Sequence, residues 1–78
     1  MKLPRDIDGI VIANKLKKFG YVITRQTGSH LRLTTEDGKH HLTIPMHSPL
    51  KTGTLASILS EVSSHLKISK DEILQKLF

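Results

Sequence analysis

The sequence predicts a small α+β domain of order α-β-β-β-α with a short helix added at its C-terminal end. Three observations carry this reading: an apolar stripe at helical spacing before residue 20, two runs of strict strand alternation between residues 30 and 44, and a longer helical stripe from Leu55 to Leu66. A sheet with one apolar face must bury that face. Both main helices are therefore expected on the same side of a three-stranded antiparallel sheet, leaving its other side to solvent or ligand. The 78 residues allow one domain, residues 1–78. A chain of this size buries roughly 60–65% of its unfolded surface. It has no cysteine, so neither a disulfide nor a thiolate metal site can reinforce it.

The elements follow in order. Asp8 is placed to cap a helix over residues 9–19, with Ile12, Leu16 and Phe19 at i, i+4 and i+7 and Gly20 in position to close it. Tyr21-Val22-Ile23-Thr24-Arg25 is rich in β-formers, and Thr27-Gly28-Ser29 interrupts it. His30 to Thr34 alternates polar and apolar, as a half-buried strand does. Asp37-Gly38 is the pair that two-residue hairpin turns favour. His41 to Ile44 alternates again, and Pro45, lacking an N–H, ends it. Leu31, Leu33, Leu42 and Ile44 then share one face, and His30, Arg32, Thr34, His41 and Thr43 the other. After a loop over residues 46–53, Leu55, Ile58, Leu59, Val62 and Leu66 form a single stripe. Ser69-Lys70-Asp71-Glu72 is a capping box flanked by Ile68 and Ile73, which predicts a last helix ending near residue 77.

The net charge of +5 is unevenly spread. Between Gly9 and Ser60 lie seven basic residues (Lys15, Lys17, Lys18, Arg25, Arg32, Lys39 and Lys51) against two acids, Glu36 and Asp37. The ends cancel. A basic middle favours a polyanionic partner, although a merely soluble basic surface has the same composition. The residues from Met1 to Asp6 hold no apolar run of signal-peptide length, and no stretch is long enough to span a membrane, so a cytoplasmic protein is expected.

Five histidines are candidates for chemistry. His65 falls late in the second helix, where a cation suits the dipole. His40 and His41 are adjacent, so a strand sends them to opposite faces. His30, His41 and His47 have no spacing known for zinc, and the nearest carboxylates lie at a hairpin tip, so neither a metal nor another cofactor is expected. Ser29 beside His30 is not a triad, because the base must reach the hydroxyl and be oriented by a third group.

Cleavage of RNA asks for less. The substrate supplies its own nucleophile in the 2′-hydroxyl. The protein must add a group that titrates near neutrality, as imidazole does at ~6.5, and positive charge for the phosphoryl oxygens. His30 meets the first need and Arg32, two residues on along the same face, the second. Arg25 and Lys51 are the alternatives for that charge. Gly28 permits a sharp turn, and the backbone N–H groups of Gly28 and Ser29 suit a phosphate. On composition and spacing alone, a surface histidine following a turn explains the same pattern.

Two segments add a resemblance. "GSHLRL" (Gly28 to Leu33) followed by "TIPMHSPLKTGTLASIL" (Thr43 to Leu59) resembles the HicA toxins of bacterial and archaeal toxin–antitoxin pairs, as does "KKFGY" (Lys17 to Tyr21) before them. The likeness covers roughly residues 7 to 65 in order and spacing. It implies a fold similar to the double-stranded-RNA-binding domain, an mRNA interferase activity that arrests translation, a catalytic histidine at His30, and a HicB-type antitoxin as partner beside RNA. Pro45, His47, Gly53, Thr54 and Leu55 match the second segment in a mainly structural capacity. The His40-His41 pair lies outside the family pattern, and the last helix is less clearly shared. A non-catalytic RNA-binding module, or an inactive descendant that still engages an antitoxin, is the alternative function.

Overall fold

A computed structural model describes residues 3–78. Helix α1 (Gly9–Lys15) passes into a 3-10 turn (Leu16–Phe19), and strands β1 (Tyr21–Thr27), β2 (His30–Thr35) and β3 (His41–Pro45) follow. Helices α2 (Thr52–Leu66) and α3 (Lys70–Leu77) complete the chain. The order is the expected one. The first helix is not continuous to residue 19, because its last turn tightens to 3-10 before Gly20 closes it at φ 85°. Asp8 occupies the N-cap position but makes no side-chain bond to the helix; its carboxylate accepts instead from Ser48 Oγ at 2.7 Å. The Ser69 cap of α3 does form, with Ser69 Oγ accepting from Glu72 N–H at 3.1 Å. No helix is long and apolar enough to cross a membrane among the described residues.

The sheet runs β1-β2-β3, antiparallel throughout. Leu31 and Leu33 of β2 and Leu42 and Ile44 of β3 are buried in one cluster with Ile12 and Leu16 of the first helical segment, Leu55, Ile58, Leu59 and Val62 of α2, and Ile73 and Leu77 of α3. All helices thus cover one side of the sheet. The β2–β3 connection is longer than an Asp-Gly turn. Thr35 Oγ1 donates to Asp37 Oδ1 at 2.6 Å, Lys39 N–H donates to the same oxygen at 2.9 Å, and His40 N–H donates to Thr35 Oγ1. These bonds hold Glu36 to His40 as a five-residue loop, with Gly38 at φ 74°. The buried Thr35 hydroxyl that organises it is what a two-residue turn leaves out.

One irregularity in the sheet sets which side chains share its outer face. Ile23 pairs with Leu33 and Arg25 with Arg32, so Thr24 is an extra residue in β1. It is a β-bulge. A bulge shifts the side-chain parity of the strand beyond it. Tyr21 and Ile23 turn inward before it, whereas Arg25 and Thr27 turn outward after it, opposite Arg32 and His30.

The segment between β3 and α2 is zipped to the start of α1. Gly9 N–H donates to the His47 carbonyl at 3.0 Å and Leu50 N–H to the Ile7 carbonyl at 2.8 Å. Gly9 packs so closely on Pro45 that a Cβ there would collide with the Pro45 carbonyl oxygen. Helix propensity alone would favour alanine at this position by about 1 kcal/mol. The collision is with backbone, and overpacking of that kind costs about 1–3 kcal/mol. Gly9→Ala is therefore expected to destabilise the domain, with about 4–8 °C of Tm lost per kcal/mol. A thermal melt that is unchanged or raised would contradict this close approach.

At the end of the sheet near the β2–β3 loop, His40 joins three elements. Its Nδ1 lies 2.6 Å from the hydroxyl of buried Tyr21, and its ring stacks on His65 of α2 at 4.5 Å between centroids. Burial, then the charges of Glu61 and Asp37, push the Tyr21 hydroxyl up to about 12. Burial, then His65 and more weakly His41, push the His40 imidazole below its ordinary value, Glu61 opposing them. A folded-state value below the unfolded one means the unfolded chain takes up the proton first. Stability is then fully present above about pH 6.5, the unfolded value, and declines as pH falls from there toward the lowered folded value. Denaturant melts between pH 7.5 and 5 are expected to show this decline, and His40→Asn, which cannot titrate, should flatten it relative to the wild type. Parallel pH profiles for the two proteins would show that the stack carries no such linkage.

Candidate nucleic-acid interface

His30 opens β2, immediately after a two-residue connection. Thr27 pairs with His30 across it, and Gly28 has φ 53° while Ser29 does not share a positive φ. Glycine at the first central position is the requirement of a type II′ hairpin. Space around a Gly28 Cβ is open, so it is the backbone angle and not crowding that calls for glycine. On the other side His30 faces Pro45, the last residue of β3. Proline has no N–H to give, and the next one, from Met46, donates to the Ser29 carbonyl at 2.6 Å. The backbone of His30 is thus held between two strands while its side chain stays exposed.

The outer face at His30 is hollowed. Arg25, Thr27, His30, Arg32 and Thr43 line a shallow depression of about 170 Å³. Arg25 and Arg32 stand directly opposite each other across β1 and β2. Like charges placed so are unfavourable by themselves, and no carboxylate lines the hollow to offset them. Among the described residues the ion pair formed is Lys76–Glu72, on α3. Two unpaired guanidiniums beside an imidazole and two hydroxyls make a site for an anion with several oxygens, a phosphate group above all.

The structure gathers some of the candidates and separates others. His30, Arg32 and Arg25 share the hollow, with Gly28 and Ser29 in the turn at its edge. Lys51 lies at the N-cap of α2 and does not line it. Nor does His47, whose carbonyl is used in the contact with Gly9. His40 and His65 are stacked on each other, so the helix-end role expected of His65 is only part of its setting. Among the described residues, no three of His, Cys, Asp and Glu gather closely enough to hold a metal ion. Thr27 and Thr43 were missed by the sequence reading as site residues. Thr43 could have been found from the alternation of β3, but Thr27 could not, because its face depends on the bulge at Thr24.

A larger, mainly apolar groove lies elsewhere, between Leu3-Pro4-Arg5 and Leu74, Gln75 and Phe78 of the C-terminal end. It holds no histidine and one cation, and offers nothing for phosphoryl chemistry.

Against known proteins, the chain matches the family model described as "HicA toxin of bacterial toxin-antitoxin" over residues 12–63, well over half its length. That span contains the whole sheet, the hollow and most of α2. Compared with curated proteins and with solved structures, the chain has no significant match. The chain therefore belongs to the HicA toxin family, the toxin half of bacterial toxin–antitoxin pairs.

Proposed function

We propose that this toxin is an endoribonuclease that cuts messenger RNA without a metal ion, with His30 as its catalytic residue. The observation that carries the reading is the hollow itself, an exposed imidazole flanked by two opposed arginines on a face without acids. RNA brings the nucleophile. With a phosphate seated between Arg25 and Arg32, His30 takes the proton from the neighbouring 2′-hydroxyl as its oxygen attacks phosphorus. The P–O5′ bond breaks, and the departing 5′-oxygen takes a proton from the imidazolium or from water. The products are a 2′,3′-cyclic phosphate and a 5′-hydroxyl. A general acid–base histidine contributes ~10²–10⁴-fold. The guanidiniums add stabilisation of the charge that builds on the non-bridging oxygens, and Thr27 and Thr43 help to orient the group.

His30→Ala is expected to abolish cleavage of a long unstructured RNA while changing stability by no more than about 0.5 kcal/mol, the usual limit at exposed sites. Arg25→Ala and Arg32→Ala should each slow the reaction, and Lys51→Ala should do so less. Cutting should persist in EDTA and fail on an all-2′-deoxy substrate. RNA that is bound but left intact by the wild-type protein would make it a binding module instead, and loss of activity by melting of His30→Ala would make His30 structural.

An enzyme of this kind acting in the cytoplasm requires an inhibitor, and the antitoxin expected is of the HicB type. The basic outer face favours an acidic antitoxin surface steered to it at a rate that falls with salt. Such a partner covers His30. In a titration of labelled RNA on His30→Ala protein, antitoxin is expected to displace the RNA competitively. A stable ternary complex with RNA still on the outer face would rule out occlusion.

A further inference from the structure

Beside the hollow, three side chains of the outer face form a hydrogen-bonded chain. Thr24 Oγ1 donates to the Arg32 carbonyl at 3.3 Å, the Thr24 and Thr34 hydroxyls are 2.9 Å apart, and Thr34 Oγ1 lies 2.9 Å from His41 Nδ1. The senses of these bonds are linked. A carbonyl only accepts, and a hydroxyl has one proton to give. When Thr24 gives its proton to the carbonyl, Thr34 donates to Thr24. His41 Nδ1 then carries the proton that it donates to Thr34. In that arrangement the neutral imidazole is the Nδ1–H tautomer, and the lone pair falls on Nε2, the far edge of an exposed ring.

His41 cannot act on the phosphate that His30 serves. It pairs with Thr34, four residues beyond His30 along β2, a separation of about 13 Å. It does stand next to the hollow, two residues or about 6.6 Å along β3 from Thr43. A strand of nucleotides that has one phosphate in the hollow and runs along β3 toward His41 would bring its following nucleotide to this ring. Arginines there read phosphate alike for every nucleotide, whereas an imidazole held as an acceptor reads a donor.

Resting on the reading of this face as an RNA-cleaving site, we infer that His41 is a recognition residue for the nucleotide adjacent to the one cut. Its Nε2 accepts a hydrogen bond from a donor of that nucleotide. Two sources share this chemistry: the ribose 2′-hydroxyl, which would distinguish RNA from DNA at that step, and the exocyclic amino group of a base. The β-bulge takes part, because Thr24 is the extra residue whose hydroxyl starts the chain.

The test is a binding measurement on His30→Ala protein at mildly alkaline pH, so that no ligand is cut. The probes are a short oligoadenylate, its 2′-deoxy counterpart, and a counterpart with purine in place of adenine, which lacks the amino group. Adding His41→Asn, whose amide can still donate to Thr34, is expected to weaken oligoadenylate binding about 2- to 10-fold, the range one hydrogen bond supplies. The loss should vanish on one analogue: on the deoxy oligomer if the donor is the 2′-hydroxyl, on the purine oligomer if it is the amino group. His41→Gln, whose amide oxygen reaches the position of Nε2, should retain affinity. Equal losses on all three ligands, or none on oligoadenylate, would overturn the inference. Failure of the wild-type protein to cut any RNA would remove the nuclease reading but leave this measurement to decide the role of His41.

Discussion

A single extra residue in β1 governs how the two faces of the sheet divide. Strand side chains alternate with a period of two, so one inserted residue reverses every side chain beyond it. Without Thr24 as a bulge, Arg25 would point at the leucines of the core, where an unpaired guanidinium is costly. With it, Tyr21 and Ile23 pack inward and Arg25 and Thr27 turn out beside Arg32 and His30. The core and the hollow can share one short strand only on that condition. Bulges commonly adjoin functional sites for this reason. Here the bulged residue also supplies the hydroxyl that bonds the Arg32 carbonyl and reaches Thr34.

The opposed arginines add an energetic cost of a different kind. Their mutual repulsion has no local acid to relieve it, and in the free protein it is softened only by solvent and salt. A bound anion reverses the sign of that contribution. Such a site is less favourable empty than occupied, which fits the proposed binding of RNA or of an acidic inhibitor. The structural load is carried elsewhere, by the continuous cluster from Ile12 to Leu77 on the opposite face. The outer face contributes little to holding the chain together and is correspondingly free to carry charge.

Both ends of the sheet are fastened by contacts between segments distant in sequence. At the His30 end, Met46 bonds to Ser29 and the residues after β3 run along the start of α1, against Gly9. At the other end, Tyr21, His40 and His65 tie β1, the β2–β3 loop and α2 together. The two-residue turn at Gly28-Ser29 is therefore not a free hairpin tip. Its carbonyl is engaged and its length leaves little freedom, so His30 is presented from rigid backbone, as the acid–base role proposed for it requires.

Much of this was legible in the residues themselves. Strict alternation from His30 to Thr34 and from His41 to Ile44 determined which side chains are buried, because a period of two admits only one assignment of faces. The stripe from Leu55 to Leu66 and the Ser69 cap determined the later helices, since both signals are local. Gly28 and His30 were visible for the same reason. What the tertiary structure decided depends on register and on contact between distant segments. Alternation in β1 gave no warning of a bulge at Thr24, because its location is set by pairing with β2, so Arg25 was known as a charge but not as a neighbour of Arg32. Asp8 looked like a helix cap, yet its partner is Ser48, forty residues away. Gly9 was visible only as the start of a helix, yet its missing side chain is what lets α1 approach Pro45. Local chemistry writes the elements and their faces into the sequence; the site arises where two strands meet out of phase, and only the folded chain sets that phase.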